Sequence, residues 1–512
     1  MKNIIKISLI SSVVVVASSC TNLDEQIKDN YTSDFKPANQ GVGVKNNVNK
    51  ATPSDGLSGA FARVLNGTAN HGSYFSAQEI SSDEAVITQK GGDWFDGGIW
   101  LTMHKHSFSP IVGGINGAWG DIYGGIVQAN TLLAVSGQSA GNIAQLRTLR
   151  AYLYWRLLDM FGRVPITTLP GVSAPQATRA QVYAFVETEL LAALPNLPAG
   201  KQDYGRVSQG AANALLARLY LNANVYKGSP EWQKAIDAAD AVINSGVYSL
   251  SPEYKDVFSP ANVENVEHIF VAPFDEATGG GMNFAQMTLH YPSQLTYRLA
   301  QQPWNGYSTL EAFYNSYEAT DKRRANNFIV GPQKDLNGSP ILDLAFDKGD
   351  PDGAEINYTP AINMLAPNGS RQAGARLGKF SFKIGQNPDM DNDFPLLRYG
   401  EVLLNKAEAV ARLNGNNFSN ATALALVNQL RARAGVSAFA SMTEGQMLAE
   451  RGRELFQEAL RRTDLIRFGA WGQAWWEKPA HNDAFKNLFP IPAEQITASQ
   501  GTPNPLTQNP GY

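Results

Sequence analysis

The sequence predicts a mainly α-helical protein, built of tetratricopeptide-like helix pairs and divided by one large loop-rich insertion. Three observations carry this. Apolar residues recur at helical spacing in two regions, one before residue 247 and one after residue 395. Glycine or proline closes most of these stripes. Between the two regions, over about 247–395, Gly, Pro, Asn and Asp replace the periodicity. Antiparallel helices joined by short loops and repeated are the unit of such arrays. The spacing here is irregular, so the chain is not a plain repeat.

Taken in order, segments near 57–66, 117–135 and 178–194 read as helical. Leu146, Leu149, Leu153, Leu157 and Phe161 form a stripe ended by Gly162 and Pro165. Ser208 is placed to cap a helix running through Leu215, Leu219 and Val225. Trp232, Ala235, Ile236, Ala239, Val242 and Ile243 share one helix face, with Gly246 as the stop. In the last third, Arg398 to Leu413 ends at Gly415, Ala421 to Ala434 ends at Gly435, and Glu444 to Arg462 follows. The frame is therefore expected over 56–246 and 396–470. The insertion and the stretch 67–116 read as loops, with strand-like runs such as Glu267 to Pro273. Structureless loops this long are uncommon in compact domains, and these carry aromatics that disorder disfavours. They are expected to be ordered, to pack on the frame and to carry function.

Cys20 is the single cysteine of 512 residues. Lys2 and Lys6, the apolar stretch Ile7 to Val16, and Ala17-Ser18-Ser19 precede it, which is the layout of a signal peptide with a small-residue cleavage site. The apolar stretch is too short to span a bilayer. Residues 1–19 are thus expected to be removed, Cys20 to carry lipid, 20–55 to form a polar tether, and 56–512 to form one domain. No later segment is apolar enough to span, so the lipid is the expected anchor. One cysteine also excludes an internal disulfide.

Charged residues make up 17% of the chain, against about 25% in an average domain. The net charge of −4 comes with no long basic run, which argues against a nucleic-acid partner. G-x-S-x-G, H-E-x-x-H, Walker A and dinucleotide fingerprints are absent. A cysteine zinc site is impossible, and the six histidines, His104 and His106 among them, lack metal-ligand spacing. No cofactor is expected. Asp389-x-Asp391-x-Asp393 opens like a calcium loop, but Phe394 and Gly400 stand where an EF-hand needs Gly and Glu. A structural calcium ion outside that pattern stays open, and so do carboxylate pairs suited to glycoside hydrolysis.

The tryptophans discriminate better. Trp119, Trp155, Trp232, Trp471, Trp475 and Trp476 fall in helical regions and read as packing. Trp94 lies in Gly91-Gly92-Asp93-Trp94-Phe95-Asp96-Gly97-Gly98, with Trp100 just beyond. Trp304 lies in Gln301-Gln302-Pro303-Trp304-Asn305-Gly306-Tyr307. An indole on a polar loop offers a flat apolar face edged by hydrogen-bonding groups, which suits the C–H face of a sugar ring. The other reading is that these side chains pin their loops to the frame.

The ordered motifs identify a resemblance. They include Trp119-x3-Tyr123 with Asn130, Arg150-Ala-Tyr152-Leu-Tyr-Trp155, and Leu158-Asp159-Met-Phe161-Gly162. Gly210 to Leu221, Asp393-Phe-Pro395-Leu-Leu-Arg398-Tyr399-x-Glu401 and Ala407-Glu408-Ala409 follow. Val427 to Gly435, Glu450-Arg451-x-Arg453-Glu454-Leu455, Asp464-Leu-Ile-Arg467-Phe468-Gly469, Pro490-Ile491-Pro492 and Gln508 to Tyr512 complete the set. Together with the lipoprotein start, this chain resembles the SusD/RagB family of glycan-binding outer-membrane lipoproteins. Asp24-Glu25, close behind Cys20, resembles the surface-export signal of Bacteroidetes lipoproteins.

The resemblance implies a SusD-like fold with four tetratricopeptide-like units, a loop-rich ligand face and no catalysis. It implies a cell-surface lipoprotein that captures oligosaccharide or polysaccharide and delivers it to a TonB-dependent, SusC-like transporter. By region and chemistry, the glycan contacts are expected from Asp83, Asp93, Trp94, Trp100, Trp304, Asn305, Tyr307, Arg371 and Arg376. The glycine-flanked tryptophan loop resembles family members from β-glucan loci, so a β-glucan such as laminarin is the first expectation. A peptide-importer subunit and a secreted glycoside hydrolase are the competing readings.

Overall fold

A computed structural model describes residues 56–201, 203–277, 281–343 and 353–512. Cys20, the signal segment, the acidic pair and the tether lie outside the described residues. Helices dominate. Gly113–Leu133 packs on Ala140–Met160, which packs in turn on Arg179–Ala193. Gln209–Leu221 packs on Trp232–Asn244. Ser208 caps its helix as the sequence suggests, and Ser139 and Thr178 do the same for theirs, each side-chain oxygen accepting from a backbone N–H group of the first turn.

The frame is continuous in space although the insertion divides it in sequence. Trp232–Asn244, the last long helix before the insertion, packs on Tyr399–Leu413, the first long one after it. Lys406 pairs with Asp240 across that contact. The Arg218 guanidinium forks onto Glu401 at 2.7 and 2.6 Å, joining Gln209–Leu221 to the same helix. The two ends of the insertion are tied by an antiparallel pair, His268–Ala272 with Phe394–Arg398. The strand-like run Glu267 to Pro273 is this neck.

Three sequence expectations change. The helix through Val225 stops at Leu221, and a separate turn, Ala223–Lys227, follows Asn222. The loop expected over 67–116 contains Tyr74–Ile80, the strand Ala85–Ile87 and the helix Ile99–His104, before Gly113–Leu133 begins. The run from Glu444 to Arg462 is two helices, Glu444–Leu455 and Arg461–Arg467. The physical reason for the last break is a set of buried carboxylates. Gln457 and Ala459 take left-handed backbone angles, and their N–H groups donate to Glu84 Oε2 at 3.4 Å and Glu79 Oε1 at 2.7 Å.

Glu79 and Glu84 are both fully buried and interact. Burial pushes Glu79 up to about 7, and burial plus the Glu79 charge pushes Glu84 well above its usual range. The folded pair therefore holds a proton that the unfolded chain releases near pH 4.5. Its contribution to stability is full below that pH and is lost as pH rises toward 7. Glu84→Gln should remove this loss. We expect the melting temperature to rise by about 2–4 °C at pH 8 with little change at pH 4.5, measured by thermal denaturation at both.

The insertion also returns to the frame through a second ribbon, Ala85–Ile87 paired antiparallel with Tyr307–Thr309. This ribbon brings the 88–98 loop beside the 302–306 turn and so positions the site.

Candidate functional site

A cleft of about 490 Å³ lies at the start of this ribbon, lined by His71, Asp93, Trp94, Asp96, Tyr291, Gln302, Pro303 and Trp304. Its first wall is the glycine-flanked loop. Gly91 N–H donates to the Pro367 carbonyl at 2.9 Å, and Lys90 N–H to the Asp93 carbonyl at 2.9 Å, which closes a tight turn. The buried Lys90 ammonium donates to the Gly306 carbonyl at 3.3 Å, joining the loop to the opposite wall. The second wall is the 304–306 turn. Its three N–H groups donate to the carbonyls of Gln286, Leu289 and Met287 at 2.7, 2.9 and 2.9 Å. Trp94, Asp96 and Asn305 hold φ of 60°, 43° and 57°, a left-handed strain of order 1–3 kcal/mol each that surrounding contacts must hold.

The two tryptophans have different jobs. The Trp94 indole N–H donates to the Trp304 carbonyl at 2.6 Å. Its ring lies so close to Gly306 that a Cβ there would sit 2.4 Å from it. Trp94 is the back wall. Trp304 keeps 37% of its surface exposed and offers the open indole face. Phe95, beside Trp94 in the chain, is 48% exposed. His71 sits at the centre, its ring edge-on to Trp94 at 5.2 Å and 6.1 Å from Trp304. Burial lowers its pKa, with Asp96 opposing, so the ring is neutral at pH 7.

Polar groups edge this aromatic surface. Tyr291 donates its hydroxyl to Asp93. Burial and the Asp93 carboxylate push that phenol's pKa up, so it stays a donor. Asp96 Oδ2 accepts from the Trp100 indole at 2.6 Å. Each carboxylate spends one oxygen on these contacts and has a second to accept from a hydroxyl.

The structure brings the Asp93-Trp94 loop beside Trp304, 210 positions away from Trp94 in the chain. It moves the other expected contacts. Trp100 is 2% exposed and Tyr307 is fully buried, so neither presents a surface. Trp100 is buried because Ile99–His104 turns it inward, and Tyr307 because its hydroxyl meets Ser76 at 2.6 Å inside the core. Asn305 and Arg376 are fully buried and bonded to each other at 2.9 Å, which supports the turn from beneath. Arg371 is buried too, with its guanidinium 6.0 Å over the Tyr291 ring. Asp83 is elsewhere, bound to Arg461 at 2.7 and 2.9 Å. Sequence reasoning missed His71, Asp96, Tyr291 and Gln302 as cleft residues. Asp96 and Gln302 lie inside the two quoted loops and were within reach. His71 and Tyr291 are single residues in other loops, without a periodic signal.

The aspartates of the calcium-like run are engaged separately. Asp391 pairs with Lys383 and accepts from Glu276 N–H, while Asp393 takes the Tyr204 hydroxyl. Among the described residues no group of three ligating side chains is placed to hold a metal ion.

Comparison with known proteins agrees with this architecture. A family model described as the SusD family matches residues 266–512, and one described as starch-binding, associating with outer membrane, matches 65–221. The chain is 28% identical over 415 residues to the starch-binding protein SusD of Bacteroides thetaiotaomicron, covering 72% of each. A laminarin-binding SusD-like protein superposes with a TM-score of 0.69 at 24% identity, over 89% of this chain and 98% of that one. Surface glycan-binding protein A from Bacteroides thetaiotaomicron, solved with laminarihexaose, gives 0.69 at 21% identity, over 88% and 98%. These superpositions establish the fold.

Proposed function

Since the chain belongs to the SusD family, we propose that it is a non-catalytic, cell-surface lipoprotein that captures a neutral glycan and delivers it to a TonB-dependent, SusC-like transporter. The observation that carries the reading is the cleft itself. An exposed Trp304 face lies among Asp93, Asp96, Tyr291 and Gln302. That is an apolar platform with a few placed donors and acceptors, as a sugar ring requires. The two carboxylates in the lining argue against an anionic polymer. Laminarin is the first candidate, supported by the names of the similar proteins; a starch-like glucan is the second.

The test is affinity electrophoresis of residues 21–512 through laminarin, mixed-linkage glucan, xyloglucan, starch, xylan, levan and alginate. Retardation by laminarin, with no release of reducing ends, is the expected result. Retardation by none of them, with binding to a protein digest, would replace the glycan with a peptide. Measurable release of reducing ends by the pure protein would make it a hydrolase. The anchor has its own test. Cys20→Ala should move the protein from the membrane to the soluble fraction and leave polysaccharide retardation unchanged.

A further inference from the structure

A second aromatic recess lies at the far end of the same ribbon. Two adjoining cavities of about 170 and 280 Å³ share Trp476 and Ala312. Asp83 and Arg461 edge the smaller, Glu311 and Asn315 the larger. A tight turn presents the indoles. Trp475 and Lys478 exchange backbone hydrogen bonds at 3.2 and 3.0 Å. The buried Lys478 ammonium sits 3.9 Å over the Trp475 ring, so that face is occupied. The His104 ring meets the Trp476 carbonyl at 2.8 Å and holds the turn down. Trp476 is left half-buried, lining both cavities. Opposite it, Ala312 carries no more than a methyl group and leaves room. Asp83 cannot swing away, because the Arg461 fork holds both of its oxygens.

Two short segments of the chain tie the recess to the cleft and set the distance between them. Gly306, against Trp94, directly precedes the strand Tyr307–Thr309, and Leu310, lining the recess, directly follows it. The four steps from Gly306 to Leu310 span about 13 Å at the extended rise per residue, the length of a few sugar rings. The segment from Ile362, in the recess, to Pro367, bonded to Gly91 at the cleft, joins the same two places.

We propose that this recess is a second subsite, which takes a distal stretch of the same neutral polysaccharide whose other rings occupy the Trp304 cleft. The proposal rests on the glycan reading above. An indole face beside a carboxylate and an amide repeats the chemistry of the cleft, and Arg461 adds a guanidinium that the cleft lining lacks. Two modest sites on one chain reinforce each other, because the first contact raises the effective concentration at the second. A trisaccharide held in the cleft cannot also fill the recess, whereas a long chain reaches both.

The test uses residues 21–512, the polymer that retards them most strongly, and the trisaccharide of that polymer, read by titration calorimetry. Trp476→Ala removes the platform, and Ala312→Leu fills the recess from a solvent-facing position. Both variants are expected to weaken polymer binding about tenfold while trisaccharide affinity stays within about twofold of wild type. Trp304→Ala is the control for the cleft and should weaken both ligands. If Trp304→Ala behaves so but polymer binding by Ala312→Leu and Trp476→Ala equals wild type, the second subsite is wrong and the cleft stands. If the wild-type protein binds no polymer in the panel, the glycan reading fails and the subsite with it. Should Trp476→Ala not fold, Ala312→Leu decides alone.

Discussion

Replacing Glu454 by Gln is expected to destabilise the protein by about 3–5 kcal/mol, read as a lower urea midpoint at pH 7. Glu454 is fully buried on Glu444–Leu455 and faces three guanidinium groups. Arg398 donates to it at 2.8 Å, Arg323 at 3.1 Å, and Arg433 also pairs with it. Arg398 comes from the neck of the insertion, Arg323 from inside it, and Arg433 from the end of Ala421–Ala434. One carboxylate thus joins three parts of the chain. The amide would turn a donor toward a guanidinium and leave positive charge uncompensated where water cannot reach it. Little change in the midpoint would mean that Glu450, Glu267 and Glu458, which share these arginines, compensate fully.

The same lattice sets the acid limit of stability. Burial alone would raise Glu408, but Arg467, Arg451 and Arg412 outweigh it and hold the carboxyl down to about 2. Glu454, Glu450, Glu458 and Asp464 are depressed for the same reason, their guanidinium partners overcoming burial. Each such group stabilises the fold above its unfolded value, near 4.5 for the glutamates, and loses that contribution as pH falls through its folded value. The Glu79–Glu84 pair acts with the opposite sign above pH 4.5.

How legible this was in the sequence differs by level. The frame was legible because long stripes with a cap at one end and glycine at the other obey local rules. Gly435, for example, sits at φ 74° where Ala421–Ala434 ends. The motifs that carried the family resemblance turn out to be the lattice: Arg398, Glu408, Glu450, Arg451, Glu454, Asp464 and Arg467 are all buried ion partners. They report the frame and say nothing of ligand. The cleft was legible only where chemistry is local, as in the Asp93-Trp94 and Pro303-Trp304 loops. Which indole faces out depends on the ribbon register and on Gly306, both set across about 200 residues, so no local pattern reports it. Asp83 shows the same limit, since its partner Arg461 is 378 positions away.

That register separates the two cleft tryptophans in a binding assay. Trp304→Ala is expected to weaken glycan binding by about 1–3 kcal/mol, as for a truncated aromatic anchor. Its melting temperature should stay within about 1 °C of wild type, because the indole face is open and its backbone bonds, N–H to Gln286 and carbonyl to Trp94, survive the change. Trp94→Ala is expected to lose as much binding and to melt earlier. It deletes the ring packed on Gly306, leaves the Trp304 carbonyl without its donor, and opens a cavity beside His71. The expected pattern is a common loss of affinity with a shift in melting for Trp94 alone. Early melting of both would make Trp304 a loop pin like its neighbour and move the sugar platform elsewhere. Unchanged affinity in Trp304→Ala, with the fold intact, would remove the exposed indole from the binding surface. The left-handed Trp94 makes the contrast sharper. Its φ of 60° is held by the contacts the ring makes, and without the ring the loop is free to relax away from Trp304.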